Sequence, residues 1–184
     1  MPPPSSWGSR SDASSFGQGY LGGALNAFVN SASAWLIAPF AFGAAMGTLR
    51  AAALTGLLVC VLQLVGYELS AELRGFASDP SLTLFWGTCA VIGGPVFGAG
   101  GHLLRAGPAA LRGLGGALPA SAFLAEGTWL YLHELHYYAT AALWLGIGAF
   151  AAAFLLRRAR EYRWLALTLP LGLAGEVLLT QIRV

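Results

Sequence analysis

Lysine is absent from this 184-residue chain: all ten basic residues are arginine, set against eight acids. Charged residues make up only 10% of the sequence. A soluble domain carries about 25%, so this chain has too little charge to cover a water-facing surface. The net charge of +2 leaves no basic footprint for nucleic acid. Cysteine is nearly absent as well. Cys60 and Cys89 each stand alone inside an apolar run, which suits small core residues and not a disulfide framework or a metal pair.

Catalytic and cofactor motifs are also missing. The stretch GGPVFGAGG, Gly93 to Gly101, lacks the Gly-Lys-Ser/Thr ending of a phosphate loop and lies in an apolar segment. In LYLHELHYY, His133 and His136 stand at i and i+3, whereas a zinc-protease helix needs histidines at i and i+4. The flanking Trp129, Tyr131, Tyr137 and Tyr138 suit an aromatic belt at a membrane surface instead. With no nucleophile–base pair and no metal set, neither enzyme activity nor a cofactor is expected.

Apolar residues, in contrast, are abundant at 57%. Six runs approach the roughly 20 residues that cross a bilayer: Leu21–Met46, Ala51–Ala71, Ser81–Leu104, Leu111–Leu132, Tyr137–Leu156 and Trp164–Ile182. The expected fold is all-α, a polytopic membrane protein of six transmembrane helices in a single domain over 20–184. Residues 1–19, rich in Pro, Ser and Gly, are expected to form a disordered tail. Only Arg10 precedes the first run and no cleavage site follows it, so that run reads as a retained helix. Pro39 inside it implies a tilted, kinked or partly re-entrant course.

Seven of the ten arginines fall in the connections after runs one, three and five: Arg50, Arg105, Arg112, Arg157, Arg158, Arg160 and Arg163. That bias places those connections in the cytoplasm and both termini outside, in a multi-pass protein of the plasma membrane. The same ends share a sequence. FGAGGHLLRA (from Phe97) and FGAAMGTLRA (from Phe42) are identical at six of ten positions, and FAAAFLLRRA (from Phe150) is a looser third copy. The pattern reads as three pseudo-repeated helical hairpins, each odd helix ending in a core Phe, small residues for close packing, and an Arg at the headgroups.

Each returning run carries one glutamate: Glu68 in VGYELS, Glu126 in LPASAFLAEG and Glu176 in LPLGLAGEV. They lie 18 to 21 residues beyond an arginine of the preceding connection, and at 1.5 Å per residue that reaches the outer half of a bilayer. A carboxylate there is costly unless it faces protein or water, so the three favour a shared proton or a bound cation. Asn26, Asn30 and Ser33 form a polar stripe at helical spacing. Glu126, Trp129 and His133 do the same on the fourth run, and Glu68 pairs with Glu72 at i, i+4. Each also has a purely structural reading, as interfacial acids or as hydrogen-bond links between helices.

The stretches GGPVFGAGGHLLR and LPASAFLAEG, with SASAWLIAPFAFGA upstream, resemble a family of small uncharacterised integral membrane proteins of actinobacteria, over most of the chain from about Leu21. That resemblance implies six helices and supplies no activity. The chain is also similar in length and helix number to the substrate-binding subunits of energy-coupling-factor vitamin transporters, which capture a small molecule from outside. Those subunits keep their termini cytoplasmic, opposite to the arginine count here. The functional expectation is a protein that binds or transports a cation, protons or a small polar solute. It would do so through an outward-facing polar cavity built on Glu68, Glu126, Glu176, Asn26, Asn30, Trp129 and His133. The alternative is a non-transporting structural or assembly subunit. Expected partners are the lipid bilayer, with further membrane subunits or a second copy of the chain, and no nucleic acid.

Overall fold

A computed structural model describes residues 27–28, 30–76 and 79–182. The expected tail over 1–19, Asn26 and the start of the first run lie outside the described residues. The fold is all-α: six helices, with no strand among the described residues. They are α1 (Ala32–Ala44), α2 (Leu49–Leu73), α3 (Pro80–Ala106), α4 (Arg112–Glu126), α5 (Tyr138–Leu155) and α6 (Tyr162–Ile182). The ends follow local chemistry. Thr48 Oγ1 accepts from Ala51 N at 3.2 Å to start α2, and Asp79 accepts from Ser81 N at 2.9 Å with Pro80 in the first turn of α3.

Four helices are long and apolar enough to cross a bilayer: α2, α3, α5 and α6, the last together with the short 3-10 turn before it. Their outward faces are what lipid requires. On α2, Leu54, Leu58, Val61, Leu62, Val65, Leu69 and Leu73 make a continuous exposed apolar stripe, which in water would be an untenable patch. The remaining two helices differ for physical reasons. α4 is buried along its length and needs no lipid-compatible surface, so it can be rich in Gly and Ala and carry Ser121 and Glu126 inward. Beyond Glu126 it continues as a π-helix, Gly127–Glu134.

α1 is broken into Ala32–Trp35 and Ile37–Ala44 at Leu36. Pro39 explains the position. It supplies no N–H to the carbonyl four residues back and its ring crowds that carbonyl, which belongs to Trp35. The Trp35 carbonyl is released from the helix and accepts instead from Gln63 Nε2 of α2 at 3.3 Å. The kink expected of Pro39 is thus real, and it falls one turn earlier than the proline.

Packing divides the helices into two groups of three. In the first, α3 lays its glycines against both neighbours. A Cβ on Gly98 would lie 2.2 Å from the Ala52 carbonyl oxygen of α2, and one on Gly101 would lie 2.0 Å from that of Phe40 on α1. A Cβ on Gly43 would in turn meet the Gly98 oxygen at 2.1 Å. Only glycine permits these approaches. Gly43 and Gly98 occupy matching positions in the two closest copies of the repeated stretch, so the copies face each other across the seam. In the second group, α4 packs against α5 on one side and α6 on another, and α5 and α6 scarcely touch. The groups meet where α3 and the first piece of α1 contact α4. Two of the expected hairpins are thus neighbours in space, α1 with α2 and α3 with α4, whereas α5 and α6 are held together through α4. One expected detail is corrected: of the three repeat phenylalanines only Phe97 is buried, while Phe42 and Phe150 are exposed on outward faces.

The three arginine-bearing connections share one end of the bundle. Arg105 Nη1 donates to the Ala44 carbonyl at 3.2 Å, His102 Nδ1 lies 2.9 Å from that of Met46, and Trp164 Nε1 donates to that of Ala110 at 3.0 Å. Among the described residues, seven arginines gather there with a single acid, Glu161. The opposite end holds Arg74 beside Glu72, Asp79 and Glu134 among the described residues.

Candidate functional site

Between the two triplets lies a cavity of about 820 Å³. It runs from the middle of the bundle toward the arginine-poor end. Phe97 on its wall stands about 12 Å along α3 from Arg105, and Trp86 about 29 Å. The opening exists because α6 has no packing seam with α2 or α3 among the described residues. α1 contributes Ser31, Ser33 and Trp35; α2 contributes Cys60 and Tyr67; α3 contributes Trp86 and Cys89. Across from them stand Ser121 of α4 and Thr168 and Glu176 of α6. Most of the wall is apolar, and its size falls in the range that encloses a drug-sized molecule.

Glu126 sits behind this cavity, not in it. It is 1% exposed, and its Oε2 collects three donors from α1: the Ser31 hydroxyl at 2.7 Å, the Ser33 backbone N–H at 2.9 Å, and the Ser33 hydroxyl in a short bond. Ser31 is also the N-cap of α1, accepting from Ala34 N at 3.1 Å. Trp144 of α5, fully buried, donates Nε1 to the Ser31 and Ser33 hydroxyl oxygens at 3.1 and 3.2 Å. The carboxylate therefore caps the broken helix, and the Trp144 indole completes the relay from α5. A buried carboxylate is tolerable when donors converge on it in this way. Phe28, Phe123 and Tyr131 surround the Trp144 ring, with centroids 4.7, 6.2 and 4.9 Å away, and seal the cluster.

The other residues singled out from the sequence scatter. Glu176 and Asn30 line the cavity. The residues after Asn30 do not continue a helical stripe, because Ser31 is extended and the helix begins at Ala32. Glu68 lies in a separate recess of about 310 Å³ with Glu72 and Thr83, whose hydroxyl donates to Glu68 Oε1 at 2.9 Å. Trp129 turns to α6, donating to Thr180 Oγ1 at 3.1 Å, and its ring stacks on exposed His133 with centroids 4.6 Å apart. Glu126 and Trp129 thus face different neighbours, α1 and α5 for the first and α6 for the second. The wider turn of the π-helix shifts residues past Glu126 out of α-helical register.

Sequence reasoning missed Ser31 and Trp144 as partners of Glu126, and the aromatic wall of Trp35, Tyr67 and Trp86. Ser31 carried one usable signal, a cap-forming residue placed directly before an apolar run. No curated protein and no solved structure matches the chain. A family profile matches residues 13–182, and the chain belongs to that family, described as Family of unknown function (DUF6518).

Proposed function

We propose that this is a multi-pass protein of the plasma membrane that binds a small molecule in the inter-triplet cavity as the central step of its transport. The arginine-rich end lies in the cytoplasm, and the cavity opens toward the outer half of the membrane. One observation carries the reading: a cavity of about 820 Å³ among five helices, with an acidic side chain, Glu176, on a wall that is otherwise mostly apolar. An ionisable residue at membrane depth is retained against a cost of about 2.5–3.5 kcal/mol, which makes a cavity-facing one a functional residue by default. The wall argues for a solute with an apolar body and not for a hydrated ion or a small polar molecule.

Gly175→Phe tests this. Gly175 lines the cavity, and a Cβ there meets no atom within 4 Å, so the ring fills space without disturbing a helix seam. The protein is reconstituted in lipid nanodiscs, and Trp fluorescence is titrated with three tetraphenyl probes of one shape: the phosphonium, the neutral silane and the borate. Saturable binding of at least one probe, abolished by Gly175→Phe in a protein of unchanged thermal stability, is the expected result. Binding of none, or binding indifferent to the substitution, contradicts the cavity as a site and favours the assembly-subunit reading, in which the polar residues only hold helices together.

A further inference from the structure

Arg157, Arg158, Arg160 and Arg163 crowd the passage from α5 into the first turn of α6, and all four are exposed. The acid among them, Glu161, is half-buried, and its carboxylate accepts the Arg158 backbone N–H at 3.3 Å. Among the described residues no carboxylate forms an ion pair with any of the four. The connection after α3 differs, because Arg105 and Arg112 each donate to a backbone carbonyl, of Ala44 and of Gly107. An aromatic track leads to the unpaired cluster. Phe150 and Phe154, 70% and 58% exposed on the outward face of α5, stack with ring centroids 5.9 Å apart and planes 10° from parallel. Arg157 lies over the Phe154 ring, with Cζ 5.9 Å from its centroid, and Arg163 lies over that of Trp164 at 5.3 Å.

We propose that this corner of the bundle binds an anionic phospholipid. The four arginines hold its phosphate, and an acyl chain lies along Phe150 and Phe154. The chemistry matches at both ends. A guanidinium offers paired N–H donors in the geometry that phosphate oxygens accept. Ring contact holds Arg157 and Arg163 in place before the lipid arrives, so less freedom is lost on binding. The stacked rings give the chain a flat apolar surface that ends in charge, where acyl chains give way to headgroups. A zwitterionic lipid gains less, because the cluster repels its cationic group. Arginines that only set orientation need no apolar track beside them, and that pairing separates a lipid site from a diffuse charged rim. The site is remote from the cavity and does not depend on it.

Lipid adducts counted by native mass spectrometry test the proposal, with the full chain released from a nonionic detergent. Phosphatidylglycerol and phosphatidylcholine of identical acyl chains are offered together. The glycerol lipid is expected to be retained at least about tenfold better. Combined Arg157→Gln, Arg158→Gln and Arg160→Gln should bring the two lipids within about twofold of each other, while Arg74→Gln at the opposite end changes nothing. Phe154→Ala should weaken phosphatidylglycerol about threefold or more. Equal retention of the two lipids, or a preference that survives in the triple variant, overturns the proposal. Indifference to Phe154→Ala overturns the track and leaves only diffuse charge. Displacement of the lipid by millimolar inorganic phosphate assigns the arginines to a soluble anion and overturns it too. Gly175→Phe is expected to leave lipid retention unchanged, and a loss there would move the lipid to the cavity. Should the triple variant fail to insert, Arg157→Gln alone decides, with a loss of about threefold expected and no loss contradicting the site.

Discussion

The Oε2 atom of Glu126 accepts the backbone N–H of Ser33 at 2.9 Å, across 93 residues of sequence. One carboxylate of α4 thereby caps a helix of the other triplet, and the wall of the cavity is built on the helix so held. Replacing Glu126 with Ala leaves the Ser33 N–H and two hydroxyls facing an apolar gap. That change is expected to cost about 3 kcal/mol, read as the midpoint of unfolding in a mixed-micelle titration. Glu126→Gln keeps an acceptor and is expected to cost about 1 kcal/mol. Equal stability of the Ala variant and the unaltered protein would contradict the bracing role.

Gly98→Ala drives a methyl group into the backbone of α2, where nothing can swing away. A loss of about 1–3 kcal/mol is expected in the same titration. Gly66→Ala, on the outward face of α2 with no atom within 4 Å of its Cβ, is expected to shift stability by less than about 1 kcal/mol. Comparable losses at the two positions would refute the glycine seam.

Gln63 and Pro39 are linked through the Trp35 carbonyl. Gln63→Leu removes the donor to that carbonyl and is expected to destabilise by about 1–2 kcal/mol. In a Pro39→Ala background residue 39 has an N–H again, so the same change should cost less. A double-mutant cycle measures the coupling directly. Strict additivity would show that the proline does not cause the break at Leu36.

How much of this was legible beforehand depended on what each pattern encodes. Hydropathy marked six helical runs because lipid-facing and core-facing apolar residues both raise it. For the same reason it could not separate Leu64, which lines the cavity, from Leu62, which faces outward. The small residues of the repeated stretch, Gly98 and Gly43 among them, announced a close helix contact, and the seam lies there. The arginines marked one end of the bundle, where the three connections do meet. The three glutamates illustrate the limit. Counting residues from an arginine gives depth along a helix and says nothing about direction around it. Glu68 turns to Thr83, Glu126 to the serines of α1, and Glu176 to the cavity. Ser31 and Trp144 gave no warning of their joint role, since partners 113 residues apart leave no local spacing to read.

The proposed orientation rests on the arginine count and is open to direct measurement. With Cys60 and Cys89 replaced by alanine, single cysteines at Arg158 and at Tyr138 report opposite ends of the bundle. In intact cells an impermeant maleimide is expected to label the Tyr138→Cys variant. It should reach the Arg158→Cys variant only after permeabilisation. The reverse pattern would invert the topology and with it the side on which the cavity opens.

The account places binding in the inter-triplet cavity and gives Glu126 a structural part behind it. Isotherms of the tetraphenyl probe that binds, taken for the unaltered protein, Glu126→Gln and Gly175→Phe in one nanodisc preparation series, separate the two most directly. The expected result is loss of saturable binding in Gly175→Phe, with Glu126→Gln staying within about threefold despite its lower stability. The opposite ranking, with Glu126→Gln losing the probe and Gly175→Phe keeping it, would contradict the account.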